Sequence, residues 1–183
     1  GDEDGRYVLE NNNDFLEETG MIKTFRYNDA FIRPYMVSNC LYDLTLASSN
    51  TKTPFRYDVN YRNYYLVTEG SIKIKLAPPK SGRYLYPQND YENFEFRSPV
   101  DPWDVQQQYK PDFDKVKCLE VNLKEGQMIY IPAYWFFQEC EEDNKVPGPG
   151  SYMDPSNEFG KELRKRKNIR GTMGRAARTM YKP

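Results

Sequence analysis

The stretch Glu125-Gly-Gln-Met-Ile-Tyr-Ile-Pro-Ala-Tyr-Trp-Phe-Phe-Gln138 decides the fold of this chain. Gly126 indicates a turn, and the apolar run after it is typical of a strand in the centre of a β-barrel. Pro132 ends that strand because proline has no N–H to donate to a β-ladder. The apolar run is too short to span a membrane.

The composition narrows the class of protein. A length of 183 residues suits one domain with extensions, and a net charge of −1 gives no overall attraction to nucleic acid or membrane. The three cysteines form no C-x-x-C pair. They argue against a disulfide framework or a zinc cluster and indicate a reducing, intracellular compartment.

The two ends of the chain carry opposite charge. Residues 1–20 hold seven acids and one base, which predicts a solvated acidic arm, or alternatively a partner-binding arm. A short helix is expected at Asp14–Thr19, with Asp14 as its cap. Residues 161–183 hold nine bases and one acid. We therefore predict an acidic arm at 1–20, a barrel at 21–142, and a Pro/Gly linker with a basic arm at 143–183.

Strand patterns fill the predicted barrel. From Ser71 to Leu76, apolar residues alternate strictly with lysines, which indicates a strand with one buried face. The excursion over residues 80–114 is rich in tyrosine. Its aromatic residues between Tyr84 and Phe96 either form a stacking platform for sugars or single-stranded nucleic acid, or staple the loop to the barrel. We favour the staple.

Three segments in register resemble the JmjC/cupin-like oxygenases of the factor-inhibiting-HIF type. They are Thr53-Pro-Phe-Arg-Tyr-Asp58, Ser98-x-Val-Asp101, and Gly126 to Phe137. The chain also resembles degenerate JmjC-like proteins of large DNA viruses. The resemblance implies an all-β fold, a double-stranded β-helix (a cupin/jelly-roll-like barrel) with extended N- and C-terminal arms.

The same resemblance implies a metal site that has lost its ligands. The family holds Fe(II) with two histidines and one carboxylate, beside 2-oxoglutarate. Those positions are Arg56, Asp58 and Phe137 here, and the chain has no histidine. A guanidinium repels a cation, so we predict that an Arg56–Asp58 ion pair replaces the metal and that Phe137 fills the remaining space. Glu120, Asp101 and the cysteines lack ligand spacing with Asp58. We predict no catalytic residue, no metal and no cofactor.

Two other sets of basic residues are candidates for binding. The resemblance implies that Lys73 or Lys75 could stand at a vestigial position for the cosubstrate carboxylate, but for both we favour the interpretation that they are solvent-facing lysines on an amphipathic strand. In the basic arm we expect an interaction site for an acidic protein surface, nucleic acid or anionic lipid, formed by Arg164, Lys165, Arg166, Lys167 and Arg170.

The functional expectation follows from the lost ligands and the charged ends. We expect a non-catalytic barrel that binds other protein subunits of a large assembly, as a minor capsid or capsid-associated virion protein of a large DNA virus. One alternative is a divergent Fe(II)/2-oxoglutarate-dependent oxygenase of the protein hydroxylase type. Another, suggested by Pro147-Gly-Pro-Gly150, is an axonemal microtubule-associated protein.

Overall fold

A computed structural model describes residues 7–37, 39–48, 50–60, 62–141 and 173–182. None of the helices in these ranges is long and apolar enough to cross a membrane. The elements of the described residues are, in order, β1 (Val8–Leu9), α1 (Asn13–Glu18), α2 (Ile22–Asn28), β2 (Asn39–Ser48), β3 (Arg56–Tyr57), β4 (Arg62–Glu69), β5 (Ser71–Ala77), a 3-10 helix (Pro79–Tyr84), β6 (Gln88–Asp90), β7 (Glu95–Arg97), α3 (Lys110–Phe113), β8 (Leu119–Lys124), β9 (Met128–Pro132), β10 (Phe136–Glu141) and β11 (Met173–Lys182).

The described strands form two antiparallel sheets. The order is β1-β2-β11-β4-β9 in one sheet and β6-β7-β3-β10-β5-β8 in the other. The chain passes between the sheets at the predicted turn, where Gly126 has a φ of 79° that favours glycine. Two facing antiparallel sheets are what the predicted all-β, double-stranded β-helix requires, and this prediction is confirmed.

The core lies between the sheets and draws on both of them. On β5 the predicted alternation is confirmed, because Ile72, Ile74 and Leu76 are buried and the two lysines point to the other face. Apolar burial of this kind is the main force that holds the sheets together. The buried core residues are Tyr65, Val67, Ile72, Ile74, Leu76, Leu123, Ile131 and Phe137.

The long excursion covers the outer face of the six-stranded sheet. Leu85 is fully buried there against Phe55 and Phe136. Among the aromatic residues predicted to staple the loop, Phe96 is buried and stacks on Tyr57, with ring centroids 5.0 Å apart. The staple prediction does not apply to Tyr91 and Phe94, which are exposed.

The prediction of a solvated arm at 1–20 is wrong for its described part, residues 7–20. Leu16 of α1 is fully buried and packs with Ile22 of α2 against the outer face of β2. Helix α1 lies within a residue of its expected position, but Asp14 does not cap it. Asn12 occupies the N-cap position, and its side chain instead accepts a hydrogen bond from Leu44 N at 3.1 Å. Buried apolar contacts thus override the acidic composition.

The described part of the predicted basic arm, residues 173–182, is also a strand of a sheet rather than an arm. Strand β11 pairs with β2 on one side and with β4 on the other, from Met173 to Lys182. Pairing on both sides satisfies backbone groups that two open strand edges would leave without partners, so a sequence with little strand character can occupy this place. The boundaries at 21 and 142 stay predictions. Arg164, Lys165, Arg166, Lys167 and Arg170 lie outside the described residues.

Candidate functional site

The three positions that the sequence singled out come together at one end of the six-stranded sheet. Arg56 opens β3, Asp58 follows its last residue, and Phe137 lies in β10. Arg56 and Phe137 are direct partners in the antiparallel β3–β10 pair. The backbone carbonyl of Asp58 accepts a hydrogen bond from Tyr134 N at 2.8 Å. The three positions are therefore neighbours in the fold, although two of the residue types cannot bind a metal.

The Arg56 guanidinium forms an ion pair with a carboxylate that the sequence did not point to. Its two terminal nitrogens donate to the two carboxylate oxygens of Glu10, at 2.7 and 2.5 Å. The side chains are only 12% and 16% exposed. A two-pronged hydrogen bond between guanidinium and carboxylate is the strongest geometry available to this pair of residues.

The prediction that Asp58 is the ion-pair partner of Arg56 is therefore wrong. The prediction assumed that residues two apart on a strand share a face, but β3 ends at Tyr57 and the periodicity does not extend to Asp58. Glu10 reaches the site because β1 pairs with the edge of β2, with Val8 opposite Ala47.

Interactions on both sides of Glu10 in the sequence hold its backbone in place. On the N-terminal side, β1 pairs with β2. On its C-terminal side, the backbone N–H groups of Asn11 and Asn12 donate to the buried Asp43 carboxylate at 3.0 and 2.9 Å. The sequence offered no signal that separates Glu10 from the other acids of the first twenty residues.

Phe137 provides the apolar wall of the site. It is fully buried, and its ring centroid lies 5.5 Å from that of Tyr65 and 5.7 Å from the guanidinium carbon of Arg56. An arginine over an aromatic face gains a favourable cation–π interaction. Phe137 is thus part of the buried core and also contacts the charge beside it; that it fills the place of a lost metal stays a prediction.

The charge of Arg56 is retained despite its burial. Burial alone lowers the pKa of the guanidinium, but the hydrogen bonds and the charge of Glu10 raise it, and the net pKa lies above its ordinary value. The charges of Tyr65 and Glu139 act in the same direction. The site therefore holds a permanent positive charge next to a carboxylate.

The residues at this site do not fit an iron centre with two histidines and one carboxylate. Arginine has no lone pair to offer, and phenylalanine has no donor atom. The Glu10 carboxylate is engaged by Arg56. In the ranges that the structure describes, no three His, Cys, Asp or Glu side chains lie close enough together to hold a metal ion.

The structure does not bring Lys73 and Lys75 to this site. Both lie on the face of β5 opposite to the core, and Lys75 is covered by the long loop rather than facing solvent. Its ammonium donates to the Pro102 carbonyl at 3.0 Å and lies 4.3 Å from the ring centroid of Trp103. Lys75 is thus a contact between loop and sheet, and its predicted role as a cosubstrate position is wrong.

Comparison with known proteins identifies the family. A family model described as a cupin-like domain matches residues 7–145. The JmjC domain-containing protein D of Dictyostelium discoideum is 33% identical over 93 residues, covering 50% of this chain and 20% of that protein. The lysine-specific demethylase JMJ32 of Arabidopsis thaliana is 26% identical over 137 residues, covering 60% of this chain and 38% of that protein.

Among solved structures, a cupin superfamily protein from Desulfitobacterium hafniense aligns with a TM-score of 0.39 and 7% identity, covering 97% of this chain and 79% of that one. The chain spans less than half the length of either curated relative. The family model, by contrast, covers most of this chain, from the segment that carries Glu10 to the strand that carries Phe137. The predicted JmjC/cupin-like resemblance is confirmed, and the chain belongs to the cupin-like domain family.

Proposed function

We propose that this chain is a non-catalytic member of the cupin-like family that acts as a structural module binding other protein subunits. The observation that carries the proposal is the ion pair of Arg56 with Glu10, placed against Phe137. It joins the sheet that bears the family's ligand positions to the N-terminal segment of the chain. The ion pair therefore holds two parts of the fold together at the place where the family resemblance implies a metal.

A metal at the same place would face two obstacles. The guanidinium would repel a divalent cation at short range, and repulsion inside a poorly solvated barrel is stronger than in water. Glu10 could leave Arg56 to bind the metal only if a buried charge lost its partner, which costs about 3–5 kcal/mol. Both effects favour the ion pair over coordination.

The setting of the module is the finer part of the proposal. The resemblance to degenerate proteins of large DNA viruses suggests a capsid or a capsid-associated position, with other protein subunits as partners. An Fe(II)/2-oxoglutarate oxygenase is the competing function, because JmjC-domain proteins and a demethylase are among the relatives. It would need a set of metal ligands that differs from the family's positions in this chain.

The two functions are distinguished by an anaerobic titration with Fe(II) and 2-oxoglutarate, followed by calorimetry. We expect no saturable binding of either by the natural chain. A variant carrying Glu10→Ala, Arg56→His and Phe137→His serves as the comparison, because it removes the ion pair and restores the two imidazoles beside Asp58. Tight binding of one Fe(II) per natural chain in the anaerobic titration, together with succinate formation from 2-oxoglutarate once dioxygen is admitted, would overturn the proposal.

A further inference from the structure

The last turn of α2 and the segment that follows it expose a group of large apolar side chains. Tyr27, Phe31, Tyr35 and Met36 are 84%, 81%, 94% and 83% exposed. All four lie within residues 27–36, whereas exposed apolar residues are normally scattered singly over a soluble protein. Aromatic and methionine side chains are also the types enriched where proteins meet. This group, called the aromatic face below, indicates an interaction surface.

The backbone beneath the aromatic face is firmly held. Asp29 is buried, accepts a hydrogen bond from the Tyr42 hydroxyl at 2.7 Å and forms an ion pair with Arg33. The guanidinium of Arg33 also donates to the backbone carbonyl of Arg26 at 3.1 Å. A surface fixed in this way loses little conformational entropy when it binds.

The backbone of Met36 also indicates that this segment adopts one specific conformation. Its φ is 59°, in the left-handed region that a residue with a bulky side chain rarely adopts. Such a conformation costs free energy and persists only where the surrounding structure imposes it. This unfavourable conformation occurs in a segment whose apolar side chains are exposed to solvent.

Within residues 21–37, the exposed charges are all positive. Lys23 and Arg26 are exposed on α2, and Asp29, the only acid of residues 21–37, is buried and paired. An acidic surface is therefore the complementary one. The adjacent helix α1 supplies such a surface, since Asp14, Glu17 and Glu18 are exposed.

The two helices contact each other, so an acidic face lies directly beside the basic aromatic one. We propose that the aromatic face binds a second copy of this chain, in a twofold dimer where α1 of each copy meets α2 of the other. A twofold axis places the same surface on both sides of an interface, so a surface with neighbouring halves of opposite charge is self-complementary. This inference rests on the interaction role proposed above.

The available area fits a stable dimer. An aromatic side chain buries about 150–250 Å², so the three aromatic residues together can bury roughly 500 Å² per copy. Met36 and the aliphatic parts of Lys23 and Arg26 bring this close to the ~800 Å² per partner of a standard interface. The aromatic residues would carry most of the affinity, and the charges would set the orientation and the association rate.

A charge-exchange experiment tests the dimer without any unidentified ligand. One variant carries Lys23→Glu and Arg26→Glu, and the other carries Asp14→Lys, Glu17→Lys and Glu18→Lys. Each variant alone opposes like charges across the axis, whereas a mixture of the two restores attraction at both contacts. We expect sedimentation equilibrium to show a dimer for the natural chain, monomers for each variant alone, and a one-to-one heterodimer for the mixture.

Apolar variants provide the second test and its control. Tyr27→Ser with Phe31→Ser should raise the dimer dissociation constant at least about tenfold. Tyr91→Ser with Phe94→Ser removes two aromatic side chains that are 70% and 72% exposed elsewhere on the surface, and should leave the constant unchanged. All four side chains are exposed, so the melting temperatures of the monomers should stay close to that of the natural chain.

The results separate this inference from the proposed function. A natural chain that is monomeric at all concentrations would overturn the dimer, as would a mixture of charge variants that fails to associate. If that monomer also binds no metal, the non-catalytic role stands and only the dimer fails. Saturable Fe(II) and 2-oxoglutarate binding would overturn the role instead, whatever the oligomeric state.

Discussion

Removing one partner of the Arg56–Glu10 pair should strongly destabilise the fold. Both side chains are largely buried, at 12% and 16% exposure, so water screens the interaction only slightly. Deletion of one partner in a buried pair leaves the other charge uncompensated and costs about 3–5 kcal/mol. We therefore expect Glu10→Leu and Arg56→Met to lower the free energy of unfolding by about that amount each.

Replacing both partners should cost far less than the sum of the single changes. Two apolar side chains of similar volume leave no buried charge, and such replacements of buried pairs are often neutral or stabilising. Glu10→Leu combined with Arg56→Met should therefore have a stability close to that of the natural chain. The coupling energy from the double-mutant cycle should be at least about 3 kcal/mol.

Urea denaturation of the four proteins measures this coupling directly. The exposed Lys115–Asp112 pair is the matched control, because both charges lie at the surface and Asp112→Asn should change stability by less than about 1 kcal/mol. If Glu10→Leu behaves like that control, or the coupling is near zero, then the ion pair is not formed in solution. The structural argument against metal binding at Arg56 would then be refuted.

Two further substitutions and one alkylation experiment test other parts of the structure. Phe137→Ala should lower the free energy of unfolding by about 3–5 kcal/mol in urea denaturation, because it opens a cavity beside Tyr65 in the core; a cost below about 1 kcal/mol would contradict the packing described here. Asp43→Ala should expose the segment around Glu10 to proteolysis near Asn11, because it removes the acceptor of two backbone N–H groups; an unchanged cleavage rate would show that this anchor is dispensable. Burial raises the pKa of Cys40 from 9.0 to about 11, so the thiol contributes stability below pH 9.0 that is lost as the pH rises through the folded pKa of about 11. Its alkylation at neutral pH should be much slower in the folded chain than in urea, and equal rates would contradict its burial.

Local patterns were sufficient to predict strands β5 and β9. On β5 the alternation of Ile72, Ile74 and Leu76 with lysines determines which face is buried, because a strand has a period of two. Gly126 and Pro132 set the limits of the next strand for equally local reasons. The positions of Arg56, Asp58 and Phe137 came from the family resemblance, and the structure brings these three positions together.

The contacts that the sequence did not reveal are contacts between distant segments. Glu10 lies 46 positions before Arg56, and no local pattern distinguishes it from its acidic neighbours. Strand β11 is held by the two open edges that it fills rather than by its own composition. Likewise, the burial of Leu16 depends on β2 and reverses the expectation of a solvated arm. Tertiary partners decided these cases, and single-sequence patterns do not report them.

The central claim is that an ion pair occupies the place of a metal in this member of the cupin-like family. Elemental analysis of the natural chain, purified without chelator from iron-supplemented cells, tests it most directly. We predict far less than one equivalent of iron, and no more than in the Arg56→Met variant. Stoichiometric iron in the natural chain would contradict the claim, and would mean that the metal ligands lie outside the three positions inherited from the family.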